Sequence, residues 1–321
     1  MLTISPKSDE NAKRDEVVEQ AGELLADHLL AQSAPQLLLD MDGVIFHSDS
    51  LHSPKLTTPD IIPALLALEA QGIALGPATG RGPHVVKYLR ESGLQLSGPA
   101  ILEEGQTTIQ NGVVLHLGHP NHIPYMANMR DVLRQDAEFL PGWNEVREAT
   151  QRGELGFCGG NFQWQGECIN SFWFEYGEDP LLEDNVISTK IVPVLRKLAT
   201  KHGLNFDRDV AINHYRMQPS AENGNLSVVS IKGTSDGERI HKGTAAENLT
   251  GTWGFVADGF GDAPIAKVTK ARQGVVIGIE GNLDITDDAP EFLQISDVVL
   301  KDPEEFARSL RHATRIIQSR K

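Results

Sequence analysis

The segment QLLLDMDGVIF at residues 36–46 constrains this chain more than any other: a continuous apolar run broken only by two carboxylates and a glycine. Such a run reads as a parallel strand buried on both faces that ends in a loop, and a sheet covered on both faces requires helices on both sides. The carboxylates of Asp40 and Asp42 sit where that strand ends. Removing them from water is costly and gains nothing from packing, so a cation or a reaction is needed to explain them.

The rest of the chain follows the rhythm this strand sets. TPDIIPALLALEAQG (58–72) reads as a helix, with Thr58 able to cap it, followed by a strand in IALGPATG, a helix from about Pro83 to Ser92, and the strand and turn PAILEEG. Between about 110 and 236 the rhythm breaks into Trp-, Gly- and Asn-rich strand-like runs around the helix ISTKIVPVLRKLATKHG, which predicts an inserted α+β domain. Alternation then resumes through HKGTAAENL, WGFVAD, DAPIAKVTKARQ, GVVIGIEG and SDVVL to a closing helix PEEFARSLRHATRII. The expected organisation is an N-terminal extension over 1–33, a doubly wound parallel-sheet core over 34–110 and 237–321, and an inserted cap over 111–236. The extension contains DEVVEQAGELLADHLLAQ, whose Val17, Val18, Ala21, Leu24, Leu25, Leu29 and Leu30 recur near helical spacing and predict an amphipathic helix packed on the main domain or on a partner subunit.

Three further pieces join the paired acids. Ala78-Thr79-Gly80-Arg81 ends a predicted strand where a helix begins, and a hydroxyl with free N–H groups at such a place can cradle phosphate. Lys242, opening the helix at HKGT, offers a fixed positive charge for a phosphoryl oxygen and a carboxylate, although a second Lys-Gly-Thr at Lys232 competes for that role. Val256-Ala257-Asp258-Gly259-Phe260-Gly261-Asp262 sets two more carboxylates beyond another apolar strand. Hard oxygen ligands gathered at adjacent strand ends suit Mg²⁺.

In this order the four pieces resemble the motifs of the haloacid dehalogenase (HAD) superfamily: DxD after strand one, Thr or Ser after strand two, a Lys, and a paired-acid loop. The TGR and EEG forms and the position of the insertion are similar to the subgroup with a type IIB (C2B) cap, which includes Cof-like sugar phosphatases and the sucrose, trehalose and mannosylglycerate phosphate phosphatases. The resemblance implies Asp40 as nucleophile and metal ligand, and Asp42 as general acid/base that lends its backbone carbonyl to the metal. It implies Thr79, Gly80 and Lys242 as phosphate holders, Asp258 and Asp262 as metal ligands, and Mg²⁺ as cofactor. The activity implied is hydrolysis of a small phosphorylated metabolite, a sugar phosphate or sugar-acid phosphate, through an aspartyl phosphate. A phosphosugar mutase or a catalytically silent metal-binding regulator are the alternatives. Ala257 and Gly261 stand where the family usually has Gly and often Asn.

The net charge of −15, from 44 acidic against 29 Lys and Arg residues, disfavours nucleic acid and anionic membranes as partners. Cys158 and Cys168 are too few for a disulfide framework and lack zinc-site spacing. With no apolar run near the roughly 20 residues that span a bilayer and no signal-like N-terminus, a cytoplasmic protein is expected, with homo-oligomerisation open. Arg130, Arg152, Trp164, Asn170, Lys190, His214 and Arg216 are cap residues that could meet a substrate.

Overall fold

The computed structural model describes residues 6–47, 55–82, 84–135, 171–176, 192–216, 227–259, 261–280 and 289–321. The chain divides into two compact units, one of residues 1–80, 85–114 and 241–321 and the other of 81–84 and 115–240.

The first unit is built on five short strands: β1 (Gln36–Leu39), β2 (Ala74–Pro77), and three supplied by the C-terminal part of the chain, Gly254–Ala257, Val276–Ile279 and Val298–Leu300. All of their pairings are parallel, and in space the three C-terminal strands lie on one side of β1, last to first, with β2 on the other. The chain thus winds outward in both directions from β1, so the crevice at its carboxyl end is a topological switch point, where open α/β sheets bind ligands. Leu37, Leu38 and Leu39 are buried, as the apolar run requires. The run does not continue as strand, however. Beyond Asp40 the chain turns, with the Ile45 and Phe46 N–H groups both donating to the Met41 carbonyl, and Val44, Ile45 and Phe46 are buried within that turn.

The first helix, α1 (Pro6–Leu30), packs on the main unit: Val18, Ala21, Leu25, Ala26 and Leu29 belong to its core. Helix α2 (Ile61–Glu69) starts later than Thr58, whose hydroxyl instead accepts from the Asp60 N–H at 3.4 Å. Helix α3 (His84–Glu91) leads to β3 (Ala100–Leu102), which pairs antiparallel with β4 (Thr107–Gln110) in a small sheet completed by β5 (Val113–His116). A parallel bridge between Ala78 and Ile101 ties β3 to the end of β2.

In the second unit, helix α4 (His122–Gln135) precedes β6 (Ser171–Tyr176), then come α5 (Val192–Lys201), α6 (Phe206–Asp209), β7 (Val210–Arg216), β8 (Ser227–Ser235) and β9 (Glu238–Arg239). β8 is central and antiparallel to β6, β7 and β9, giving the α+β character expected of the insertion. Returning to the first unit, α7 (Lys242–Glu247), β10 (Gly254–Ala257), α8 (Ala263–Ala271), β11 (Val276–Ile279), α9 (Ala289–Ile295), β12 (Val298–Leu300) and α10 (Pro303–Arg320) complete the chain. Asp302 caps α10 by accepting from the Glu305 N–H at 2.9 Å, with Pro303 in its first turn. Arg14, Asp15 and Asp27 of α1 form ion pairs with Glu305, Arg308 and Arg320 of α10. No helix among the described residues is long and apolar enough to cross a membrane.

Candidate active site

Asp40 and Asp258 each follow the last residue of a strand, and those strands are neighbours with Leu39 opposite Val256. The Asp40 N–H still donates to the Val256 carbonyl at 2.8 Å, so the ladder fixes the nucleophile candidate's backbone before its side chain leaves the sheet. Its Oδ1 accepts from the Met41 N–H at 2.8 Å and from Lys242 Nζ at 3.0 Å. Asp262, the residue before α8, is wholly buried and accepts from the same Lys242 Nζ at 2.8 Å. One carboxylate oxygen from each of Asp40, Asp258 and Asp262 lies within 4.8 Å of the others.

Lys242 is held by its helix start. His241 caps α7, its Nδ1 accepting from the Thr244 N–H at 3.0 Å, which leaves Lys242 as the first helical residue. On the other side, Gly105 approaches so closely that a Cβ there would lie 2.4 Å from the His241 carbonyl oxygen. Lys232, the competing lysine, is a buried residue of β8 in the second unit, opposite Ser171 and Ala211. The lysine that reaches the aspartates is therefore Lys242.

Thr79 is buried two residues beyond β2, its N–H donating to the Ile101 carbonyl at 2.8 Å and its carbonyl accepting from the Glu104 N–H at 3.0 Å. Gly80 lies beside the Glu104 side chain, 3.1 Å from where a Cβ would sit. Asp42 stands half-buried in the turn after β1, outside the trio of carboxylates. Gly261 has φ +68°, a left-handed conformation that glycine adopts without strain. Ala257 is fully buried inside β10.

Among the described residues, the three carboxylates have one ammonium, that of Lys242, placed against them, which leaves the pocket short of positive charge. Burial first, and Asp262 second, hold the Asp40 carboxyl well above the usual carboxylate range, with Lys242 opposing. Burial likewise pushes Asp262 up to about 6, Lys242 opposing it and Asp258 adding to it. Burial alone would lower the Lys242 ammonium, but Asp262 and Asp40 overcome this and hold it above its ordinary value. Among the described residues, Asp262 Oδ2 is buried and has no hydrogen-bond partner. An orphaned hard oxygen beside two more carboxylates is a donor set that fits a hard divalent cation.

Of the other sequence candidates, Arg152, Trp164, Asn170 and Lys190 lie outside the described residues, as do Cys158 and Cys168; Arg130 is on α4, and His214 and Arg216 are on β7. What the sequence reading missed is the part played by Glu103, Glu104 and Gly105. They were legible as a turn, but not as the segment packed against both Thr79 and His241.

No protein-family model matches the chain, and a comparison with curated proteins finds no match. Among solved structures, it is similar to a trehalose-6-phosphate phosphatase related protein at 12% identity, with 89% of this chain and all of that one covered and a TM-score of 0.52. The C-terminal domain of the C. albicans trehalose-6-phosphate phosphatase is matched at 11% identity over 92% of this chain and 96% of that one (TM-score 0.49). A HAD subclass IIB sugar phosphatase is matched at 12% identity over 88% and 99% (TM-score 0.45). At such identities a likeness concerns the fold, and only the first is near enough in space to support it. With the strand order, the acid-bearing strand ends and the inserted α+β unit already described, the chain shares the α/β fold of that trehalose-6-phosphate phosphatase related protein.

Proposed function

We propose that this protein is a Mg²⁺-dependent phosphatase that hydrolyses a small phosphorylated metabolite, a sugar phosphate or sugar-acid phosphate, through an aspartyl phosphate on Asp40. The observation that carries this reading is Lys242 Nζ standing 3.0 Å from Asp40 and 2.8 Å from Asp262 with Asp258 alongside, at the carboxyl ends of the central strands. A buried lysine shared by two aspartates serves poorly as a stabilising device, since a hydrophobic replacement of such clusters is often neutral or better. It serves well as a preorganised charge for a phosphoryl group.

In the proposed reaction a carboxylate oxygen of Asp40 attacks phosphorus while the P–O bond to the leaving group breaks. Asp42, two residues along on the turn, donates a proton to that leaving oxygen and then, as carboxylate, takes one from the water that hydrolyses the acyl phosphate. Thr79, through its hydroxyl, and Gly80, through its N–H, hold non-bridging oxygens, and Lys242 neutralises the charge that develops on them. Asp40, Asp258 and Asp262, with the Asp42 carbonyl, would hold Mg²⁺, which would supply further charge neutralisation.

The test is phosphate release from a panel of phosphorylated sugars, sugar acids and small esters, with Mg²⁺ or chelator, for wild type beside Asp40→Asn. Release that needs the metal and vanishes in the variant is expected. Silence of the wild type across the panel, or an active Asp40→Asn, would overturn the reading.

A further inference from the structure

The third strand of the chain ends in a backbone outlier that the reaction above does not use. Glu103, Glu104 and Gly105 take φ values of +54°, +53° and +100° in succession, and the first two are not glycine. Left-handed conformations at bulky residues are unfavourable and persist only where surrounding contacts over-determine them; they gather at functional sites. Here the contacts are specific. The Glu104 N–H donates to the Thr79 carbonyl at 3.0 Å, and its side chain lies over Gly80. Glu103, fully buried, accepts from the Thr107 hydroxyl at 3.2 Å, which anchors the turn to β4. Gly105 rests against the His241 carbonyl, immediately before Lys242, too closely for any side chain.

One three-residue turn therefore touches both the Thr79–Gly80 segment and the start of the Lys242 helix, and ties each to β3. We infer that the Glu103–Glu104–Gly105 turn is a positioning device whose left-handed backbone sets the spacing between the Thr79–Gly80 phosphate cradle and the Lys242 amine. The inference rests on the phosphate-binding role proposed above. It assigns the work to the backbone shape of Glu104 rather than to its carboxylate. Glycine adopts that shape freely, whereas a β-branched residue resists it.

The experiment uses the full chain and four variants, Glu104→Gly, Glu104→Val, Gly105→Ala and Lys242→Ala, with circular dichroism as a check on folding. Inorganic phosphate binding in the presence of Mg²⁺ is read by calorimetry, and KM and kcat are read on whichever ester the wild type hydrolyses. Glu104→Gly is expected to stay within about twofold of wild type, since its backbone keeps both the conformation and the N–H. Glu104→Val and Gly105→Ala should weaken phosphate binding and raise KM on the order of tenfold, the scale of sub-ångström to ångström misplacement of binding groups. In a Lys242→Ala background, Glu104→Val should cost little further phosphate affinity, because the two changes act through one interaction. A merely structural role would shift the melting temperature yet leave that coupling absent.

Should Gly105→Ala not fold, the Glu104 pair decides. Equal losses in Glu104→Gly and Glu104→Val, or wild-type phosphate binding in Glu104→Val, would overturn the inference. A wild type that binds phosphate but hydrolyses no ester would sink the phosphatase reading and leave the binding comparison intact as a test of the turn. No phosphate binding by the wild type would sink both.

Discussion

Replacing Asp40 with Asn should make the metal-free protein more stable while abolishing its turnover. Asp40 Oδ1 accepts from the Met41 N–H and from Lys242, and an asparagine carbonyl oxygen can keep both bonds. What changes is the charge. Two like charges no more than 4.8 Å apart, the limit within which the three carboxylate oxygens lie, repel by at least about 3.5 kcal/mol at an effective dielectric of about 20. Asp40 feels such repulsions from Asp262 and Asp258, with Asp42 adding to them, against one attraction of about 5.5 kcal/mol to Lys242 at 3.0 Å. The balance is unfavourable by about 1–2 kcal/mol before burial adds its own penalty, so a net stabilisation of about 1–3 kcal/mol is expected in chelator at pH 8. At roughly 2–4 °C per kcal/mol for a unit of this size, the melting temperature should rise by about 2–12 °C. Differential scanning calorimetry in chelator measures the shift, and adding Mg²⁺ should narrow it, since a ligand that binds the folded wild type more tightly stabilises it more. A clear loss of stability in chelator would mean that the pocket is not short of positive charge.

Lys242→Met should act oppositely, leaving buried carboxylates without their counter-charge at a cost of about 3–5 kcal/mol by urea unfolding, with phosphate release lost; unchanged stability would refute the shared ion pair. Leu25→Ala, at a wholly buried site on α1, should cost about 2–5 kcal/mol by the same assay, and a cost under 1 kcal/mol would mean that α1 is not part of the core. Glu305 pairs with Arg14 and accepts from the Lys301 N–H; although burial pushes its carboxyl up, these partners hold it below the ordinary value. A lowered carboxyl contributes stability that is present above its unfolded pKa and is lost as pH falls through the folded one. Glu305→Gln should therefore flatten the stability profile between about pH 3 and 5, and an unchanged slope there would count against the pair.

Most of the candidate site was legible in the sequence because its residue types are set locally. Asp40 and Asp42 announce themselves as carboxylates ending an apolar strand, Asp258 does the same after β10, and Thr79 marks the end of β2. The parallel α/β core was legible for the same reason, since Leu37, Leu38 and Leu39 have no polar face to give to solvent. The choice between Lys232 and Lys242 was less so. Both precede Gly-Thr, and they differ in that one lies within an antiparallel strand of the second unit while the other begins a helix beside the aspartates.

Which residue types stand at which strand ends could be read along the chain, because burial pattern and polarity are properties of neighbours in sequence. Tertiary structure alone decided that α1 packs into the core beside α10, since nothing in its periodicity names the surface it covers. It also decided that Glu103 and Glu104 take left-handed backbone, which intrinsic propensity opposes. The Glu104 N–H is held by the Thr79 carbonyl and the adjoining Gly105 lies against the His241 carbonyl, and contacts between residues 25 and 136 positions apart leave no trace in the local sequence.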